Sequence, residues 1–500
     1  MRLPLLFASA AALALAACGS NGPFGSGDGN SQAADAANVE DKSLEKQVLA
    51  ALGEAPKHGL TKDLFLKGDL PSDKGQRRQA LLQLATDYAS ALAMGKTDPT
   101  KLRDVYTVPR PKVDVRDGVT KALTENKYQE WVNSLAPQTD EYRALSNAFV
   151  RLVQRAPNLP DTTIANGDVL KPGAKDPRVP VIAANLRAQG YLADPAQQES
   201  KGRPSQGAQP KQPAQQAGDV YGSDIVAGVK RWQADSGLKV DGVIGNDTIA
   251  ALNASPRDRA RTLAVAMERL RWLDRNPAAT RIDVNTAGTY LDYWRDGQHQ
   301  ERRNVVVGQP GWETPQLGSP IFQLVANPSW NVPESIETKE LAQKGAAYLA
   351  SQNIVRKNGR LVQEPGPKNA LGQVKFDMKN DEAIYLHDTP AKALFTQPER
   401  HESHGCVRVQ NAVDFARTLA QADGVLDKFD EALASGEETS VDLKSDIPVR
   451  LMYHTAFLGA DGRLHFATDV YGWDNDVAAA LGYPTKARSQ FKSRGGDVGP

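Results

Sequence analysis

The sequence predicts a multidomain α+β protein: a helical scaffold, a small three-helix module and a β-rich domain that holds the chemistry. Three observations carry this. From Ser43 to about residue 156, apolar residues recur at helical spacing: Leu44, Val48 and Leu52; Leu81, Leu84, Tyr88 and Leu92; Tyr142, Leu145, Phe149 and Leu152. From Ile282 to Val470, short strand-like runs alternate with Gly, Asn and Pro. Between these regions lies a turn-rich string, Gly237 to Gly245, flanked by helical patterns. Five hundred residues, 40% of them apolar, suffice for about two to four domains with ordinary cores. Lys+Arg and Asp+Glu both number 60, so no net field favours nucleic acid.

In chain order, residues 1–18 read as a secretory signal, with Arg2 before a Leu- and Ala-rich stretch. Leu15-Ala16-Ala17-Cys18 resembles a bacterial lipobox, which implies Cys18 as an acylated first mature residue. Two or more acyl chains hold a protein stably on a bilayer. Gly19 in place of Asp resembles the outer-membrane sorting pattern of Gram-negative lipoproteins, so a periplasmic, outer-membrane-anchored protein is expected. Beyond the signal no run is long and apolar enough to span a bilayer. Residues 19–42 are Gly, Ser, Asn, Ala and Asp, too polar to fold, and read as a disordered tether.

The helical scaffold is expected over 43–175. The three-helix module follows at 176–255, with helices from Val179 and from Ile225 to Asp235. The string Gly237-Leu238, Val240-Asp241-Gly242, Ile244-Gly245 and Thr248 resembles the type 1 peptidoglycan-binding class. The excursion at 193–219 has Gln, Pro, Ala, Gly, Lys and Ser but almost no large apolar residue, and reads as a disordered insertion. A connecting helix spans Arg257 to Leu273, within 256–280. Strands are expected over 281–475, at Ile282–Val284, Tyr290–Trp294, Asn304–Val307, Ile321–Ala326, Val374–Phe376, Ile384–His387, Val449–Phe457 and Leu464–Val470. A helix over Ala412–Ala422 is expected to be capped by the Asn411 side chain. The charged, partly helical segment at about 334–373 is expected to be an insertion, and 476–500 a basic, Gly-rich tail.

The chemistry is concentrated in Ile384-Tyr385-Leu386-His387 and Ser403-His404-Gly405-Cys406-Val407-Arg408. Cys406 is one of two cysteines, and His387, His401 and His404 are three of seven histidines. A thiol needs to lose its proton to attack, and an imidazole is its usual activator. Gly405 permits a tight turn that could aim the Gly405 and Cys406 amides at an oxyanion. From the residues alone three readings stand: a nucleophile, a zinc ligand with His401 and His404, or a small buried hydrophobe. If Cys18 is lipidated, Cys406 is the one thiol left in an oxidising compartment, which favours use over accident.

The segment resembles the signature of L,D-transpeptidase (YkuD-type) catalytic domains: a His, a spacer, then Ser/Thr-His-Gly-Cys and a nearby Arg or Asn. His387 stands nineteen positions before Cys406. Val305 to Gly308, Asn327 to Pro333 and Gly366 to Gly372 also resemble the large Gram-negative murein cross-linking members. The resemblance implies Cys406 as nucleophile, His387 as proton donor and acceptor, His404 in support and Gly405 as backbone oxyanion donor. It implies Tyr385, Arg408 and Ser403 at the substrate, Arg408 otherwise bracing the loop, and 334–373 as a lid. No metal or cofactor is implied. The expected partners are donor and acceptor peptidoglycan stem peptides, outer-membrane lipid through Cys18, and peptidoglycan synthases. The implied reaction is a 3→3 cross-link through a thioester, with carbapenems acylating Cys406. The alternatives are an L,D-carboxypeptidase, a hydrolase, a protein-anchoring transpeptidase, or a non-catalytic murein-binding lipoprotein.

Overall fold

The structure, a computed structural model, describes residues 39–155, 163–193, 218–235, 238, 240–254 and 256–486. The Cys18 anchor, most of the tether, nearly all of the 193–219 insertion and the last fourteen positions lie outside the described residues.

The first unit is helical, as expected. Helices Asp41–Gly53, Lys74–Met94 and Asp140–Arg155 place Leu44, Val48, Leu81, Leu92, Tyr142 and Leu145 in one core. The Lys74–Met94 helix starts where Asp73 accepts from the Gln76 N–H at 2.8 Å, satisfying an amide that has no helical partner. Into the same core runs the connecting helix, Pro256–Trp272, with Leu263, Ala264, Val265, Ala266 and Met267 all buried. A helix apolar on so many sides must be packed on several sides.

The three-helix module has helices Val179–Ala188, Ser223–Asp235 and Asn246–Leu252 around Ile182, Leu186, Val229, Trp232 and Ile249. Gln233 fastens its turn: the side chain accepts from the Gly242 N–H and donates to the Val243 carbonyl, both at 2.9 Å. Ile164 and Leu170, expected to belong to the scaffold, instead complete this core. The Leu170 backbone bonds Ile244 in both directions, which draws them in.

The β-rich unit is built on β1 (Arg281–Asn285), β2 (Tyr290–Arg295), β3 (Gln298–Gly308), β4 (Gly318–Ala326), β8 (Val374–Met378), β9 (Leu386–His387), β10 (His401–Ser403), β11 (Val407–Val409) and β12 (Thr439–Met452). Their order is β10-β3-β11-β9-β8-β4-β12-β1-β2, and β2 also pairs with β3, so the sheet closes on itself. The long β3 makes closure workable: its first part pairs with β2, its middle with β11 and its end with β10. Helices Ala412–Asp423 and Leu426–Ser435 cover the core with Phe415, Leu419 and Phe429. A second, three-stranded sheet of β5 (Trp330–Asn331), β7 (Arg360–Gln363) and β6 (Ile354–Lys357) carries the segment expected as a lid, with its own core of Trp330, Ile336, Leu341 and Leu361.

Several local expectations change: the strand expected over Val449–Phe457 divides between β12, which ends at Met452, and Ala456–Leu458, and that over Leu464–Val470 is a strand only at Leu464–Phe466. The strand expected over Ile384–His387 is only Leu386–His387, because Ala383 sits at φ 54 and Asn380 bonds both the N–H and the carbonyl of Ile384. Asn411 precedes its helix at φ 51 and makes no side-chain cap, since a left-handed residue does not present its side chain to the first turn. The stretch beginning at 476 is not simply a tail: helix Asp474–Ala480 crosses that boundary and buries Val477, Ala478 and Leu481 in the helical core.

Candidate active site

β9 and β11 lie side by side and parallel, pairing Val407 with Leu386 and Arg408 with His387. Leu386 and Val407 are fully buried, so apolar packing fixes the register on which the polar residues depend. The register brings Cys406 next to Tyr385, and the Val407 N–H donates to the Tyr385 carbonyl at 3.1 Å.

Cys406 is a free, buried thiol with 5% exposure. Its thiol donates to the Ala383 carbonyl at 3.8 Å, and Tyr385, opposite it in the strand register, favours the charged form of the sulfur through its backbone N–H and its hydroxyl. Burial pushes the thiol up to about 11, while the Tyr385 donors and the Lys375 and Arg408 cations act the other way. The resting sulfur is therefore protonated near neutrality and needs a base. Ala383, Tyr385 and His404 are each at least partly exposed, so solvent reaches the rim while the sulfur stays covered.

His387 is buried, with its ring 5.6 Å from that of Tyr385 and on the same face. Its Nδ1 donates to the Asp388 carbonyl at 2.5 Å. A carbonyl can only accept, so the neutral ring carries its proton on Nδ1 and its lone pair on Nε2. Asp388 is itself clamped: its carboxylate pairs with Lys392 and accepts from the Gln373 N–H. Gly372 is what makes room, since a Cβ there would lie 2.5 Å from the Asp388 carboxyl carbon.

Gly405 has φ 114, a conformation that favours glycine. The Thr314 hydroxyl donates to its carbonyl at 2.7 Å. Two expectations are corrected here. Ser403, expected at the substrate, is fully buried and donates to the Cys406 carbonyl at 2.6 Å. The Gly405 N–H, expected at an oxyanion, donates to the Ser403 hydroxyl at 3.3 Å. Arg408, which was given two readings, is fully buried in β11 between β3 and β9, so it braces the strand and lends the thiol a nearby positive charge.

Residues 279–428 match the YkuD family model, described as the L,D-transpeptidase catalytic domain. The chain carries an L,D-transpeptidase catalytic domain. Residues 39–149 match a scaffold domain, and residues 175–252 match a "Putative peptidoglycan binding domain". A curated relative from Haemophilus influenzae, described as a "Putative L,D-transpeptidase", is 33% identical over 223 residues, covering 40% of this chain and 45% of the relative. The chain thus spans about half of that relative's length. Solved L,D-transpeptidases from Xylanimonas cellulosilytica and Stackebrandtia nassauensis are 16% and 13% identical, with TM-scores of 0.17 and 0.23. The matches cover 50% and 58% of this chain, and 90% and 96% of those chains.

In this L,D-transpeptidase domain the β5–β7 subdomain sits on the loop that carries Cys406. Glu340, in the helical turn Glu337–Leu341, accepts from His404 Nε2 at 2.6 Å. Trp312 meets the His404 ring edge-on at 5.0 Å, and Lys339 lies 4.7 Å above Trp312. His404 is thus one contact between signature and subdomain, and Tyr385, packed against the subdomain core, is another. His401 is buried, with Nε2 donating to the Thr286 carbonyl and its ring edge-on to Tyr471. Among the described residues no three His, Cys, Asp or Glu gather as a metal would need.

Sequence reasoning missed Asp388, Thr314, Trp312, Glu340 and Tyr471. Asp388 carried a signal, following His387 directly in a His-Asp-Thr-Pro turn. Glu340 and Tyr471 carried none, because only folding brings them to residues far away in the chain.

Proposed function

We propose that the protein is a murein L,D-transpeptidase that forms 3→3 cross-links through a Cys406 thioester. The observation that carries this is the free thiol of Cys406, at the start of β11 beside the strand that carries His387, on a loop to which the β5–β7 subdomain is fastened. His387 Nε2 takes the thiol proton, and the sulfur attacks the carbonyl of the third stem-peptide residue. The tetrahedral oxyanion collapses, the terminal D-Ala leaves with a proton from His387, and a thioester forms. A side-chain amine of a second stem peptide attacks the thioester and gives its proton to the base, which restores the thiol. The covering subdomain supports an amine acceptor over water, since a thioester lasts longer in a dry site.

The module at 175–252 would hold the enzyme on murein, with synthases as working partners. Acylation of Cys18 would place it on the periplasmic face of the outer membrane. Fractionation of a Cys18→Ala strain should move the protein to the soluble periplasm. The muropeptide profile of a Cys406→Ala strain tests the reaction itself: 3→3 dimers should disappear. If tetrapeptides accumulate while dimers stay constant, the enzyme is an L,D-carboxypeptidase, and an unchanged profile rejects catalysis altogether. A meropenem adduct should appear by mass spectrometry on the parent protein and be absent from the variant.

A further inference from the structure

β8 runs beside the site and presents two charges on one face, Lys375 and Asp377, two residues apart. Lys375 pairs in register with His387 across β8 and β9. Its ammonium lies 3.0 Å from Asp377 Oδ1 and 4.8 Å from the centroid of the Tyr385 ring. Tyr385 stands opposite Cys406 where β9 pairs with β11, and its hydroxyl favours negative charge on the sulfur. Carboxylate, ammonium, aromatic face, hydroxyl and sulfur therefore form one continuous series. Arg408 is the other cation felt by the sulfur, but it is sealed in the sheet, whereas the Lys375 side chain is 23% exposed.

We infer that Lys375 is a positioning residue for Cys406, acting through Tyr385, whose ring it covers and which stands opposite Cys406 in the strand register. The ammonium is attracted to the negative face of the ring and fixes the phenol in place. Its positive charge also lowers the cost of negative charge on the sulfur beyond. Asp377 holds the flexible lysine over the ring rather than letting it point into solvent. This rests on the reading of Cys406 as nucleophile. It adds a residue that the signature does not contain, because Lys375 lies thirty-one positions before the thiol.

The test is the pH profile of Cys406 alkylation by iodoacetamide in the full chain, read by peptide mass spectrometry. Thiolate ultraviolet absorbance, taken as a difference against Cys406→Ala, gives the same profile without any need for reagent access. Lys375→Met keeps the apolar stem and removes the charge. It should shift the profile upward by about one pH unit, so that alkylation is about tenfold slower at a fixed pH below the midpoint. Lys375→Arg should restore the profile. Added salt should slow the parent and leave Lys375→Met unaffected, which loss of packing alone would not produce. In a Tyr385→Phe background the same substitution should have a smaller effect, the remainder being the direct action of the charge on the sulfur. A Lys375→Met profile that superimposes on the parent, or an Arg variant that fails to restore it in a protein of equal melting temperature, overturns the inference. Muropeptide synthesis that survives Cys406→Ala removes the proposed function instead, and the two failures are read in different experiments.

Discussion

Gly405 shows how a single residue sets the pose of Cys406. Its Cβ position is not crowded: the nearest atom, Ile384 Cδ1, is 3.5 Å away. What forbids another residue is φ 114. Gly405→Ala should therefore cost about 1–3 kcal/mol in backbone strain. It should lower the rate of Cys406 acylation more than its melting temperature alone would suggest, measured by carbapenem adduct formation against thermal unfolding. Ser403→Ala leaves the Cys406 carbonyl without its 2.6 Å donor and should cost about 1–3 kcal/mol by the same melts. His387→Gln keeps bulk but removes the base, and acylation should slow by about 100- to 10,000-fold. The candidate site residues were legible in the sequence because a lone thiol and clustered imidazoles in one short motif are rare. Their supports were not. Thr314 and Tyr471 meet the Gly308 and Gly405 backbone only because β3 and the loop before β11 run together, and no local pattern announces that.

At the scale of elements, β1 to β4 and β8 were readable from alternation and turn residues, but the short strands β5–β7, β10 and β11 were not, and neither was the pairing. The closing of the sheet depends on β3 changing partner along its length, which periodicity does not report. Ile384–His387 misled for a related reason: an apolar run looks like a strand, while Ala383 at φ 54 and the Asn380 side chain bend it. That bend brings the Ala383 carbonyl to the sulfur. The covering subdomain likewise has a legible existence and an illegible contact. Glu340 fastens it to His404, and Lys339 on Trp312 adds a second hold. Glu340→Ala removes the charge-assisted hydrogen bond, which is worth about 1.5–3 kcal/mol where it is shielded from water. The variant should expose Cys406 more often, so that iodoacetamide labels it about tenfold faster with an unchanged melting temperature. It should also release more hydrolysed product from the acyl-enzyme, since the cover keeps water out. A labelling rate equal to the parent's would mean that the cover is held by its apolar core alone.

Across the whole molecule, the units are joined through buried charge rather than through the catalytic residues. In the connecting helix, Arg271 is fully buried and bonds Glu268, the His58 carbonyl and the Tyr142 hydroxyl, so scaffold and linker share one network. Arg269 pairs with Asp474 at 2.5 Å and ties the same helix to the last one. A buried pair of this kind gives little stability over an apolar replacement but is costly to break. Composition could not show it, because His58 and Tyr142 meet Arg271 only once the connecting helix packs against the scaffold. The network makes a pH prediction. Tyr142 accepts from Arg271 at 2.7 Å and donates to His58 Nδ1 at 3.0 Å, an arrangement that needs a neutral imidazole. Burial, reinforced by the Arg271 charge, lowers His58 from 6.5 to about 4. The folded value lies below the unfolded one, so the unfolded chain takes up the proton first. Stability is lost as pH falls from 6.5 towards 4, by about 3 kcal/mol from this residue. Glu141 runs the other way: burial raises it from 4.5 to about 7, where its carboxylate meets the Leu458 N–H. Its contribution is present below 4.5 and is lost as pH rises through about 7. Thermal melts of the parent, His58→Gln and Glu141→Gln should therefore diverge with pH in opposite directions. His58→Gln should be less stable than the parent at neutrality, with the gap narrowing as acid is added. Glu141→Gln should gain on the parent as pH climbs from 4.5 to 7. Parallel curves for either variant would mean that the interface tolerates the charge and that its burial does not govern the joint.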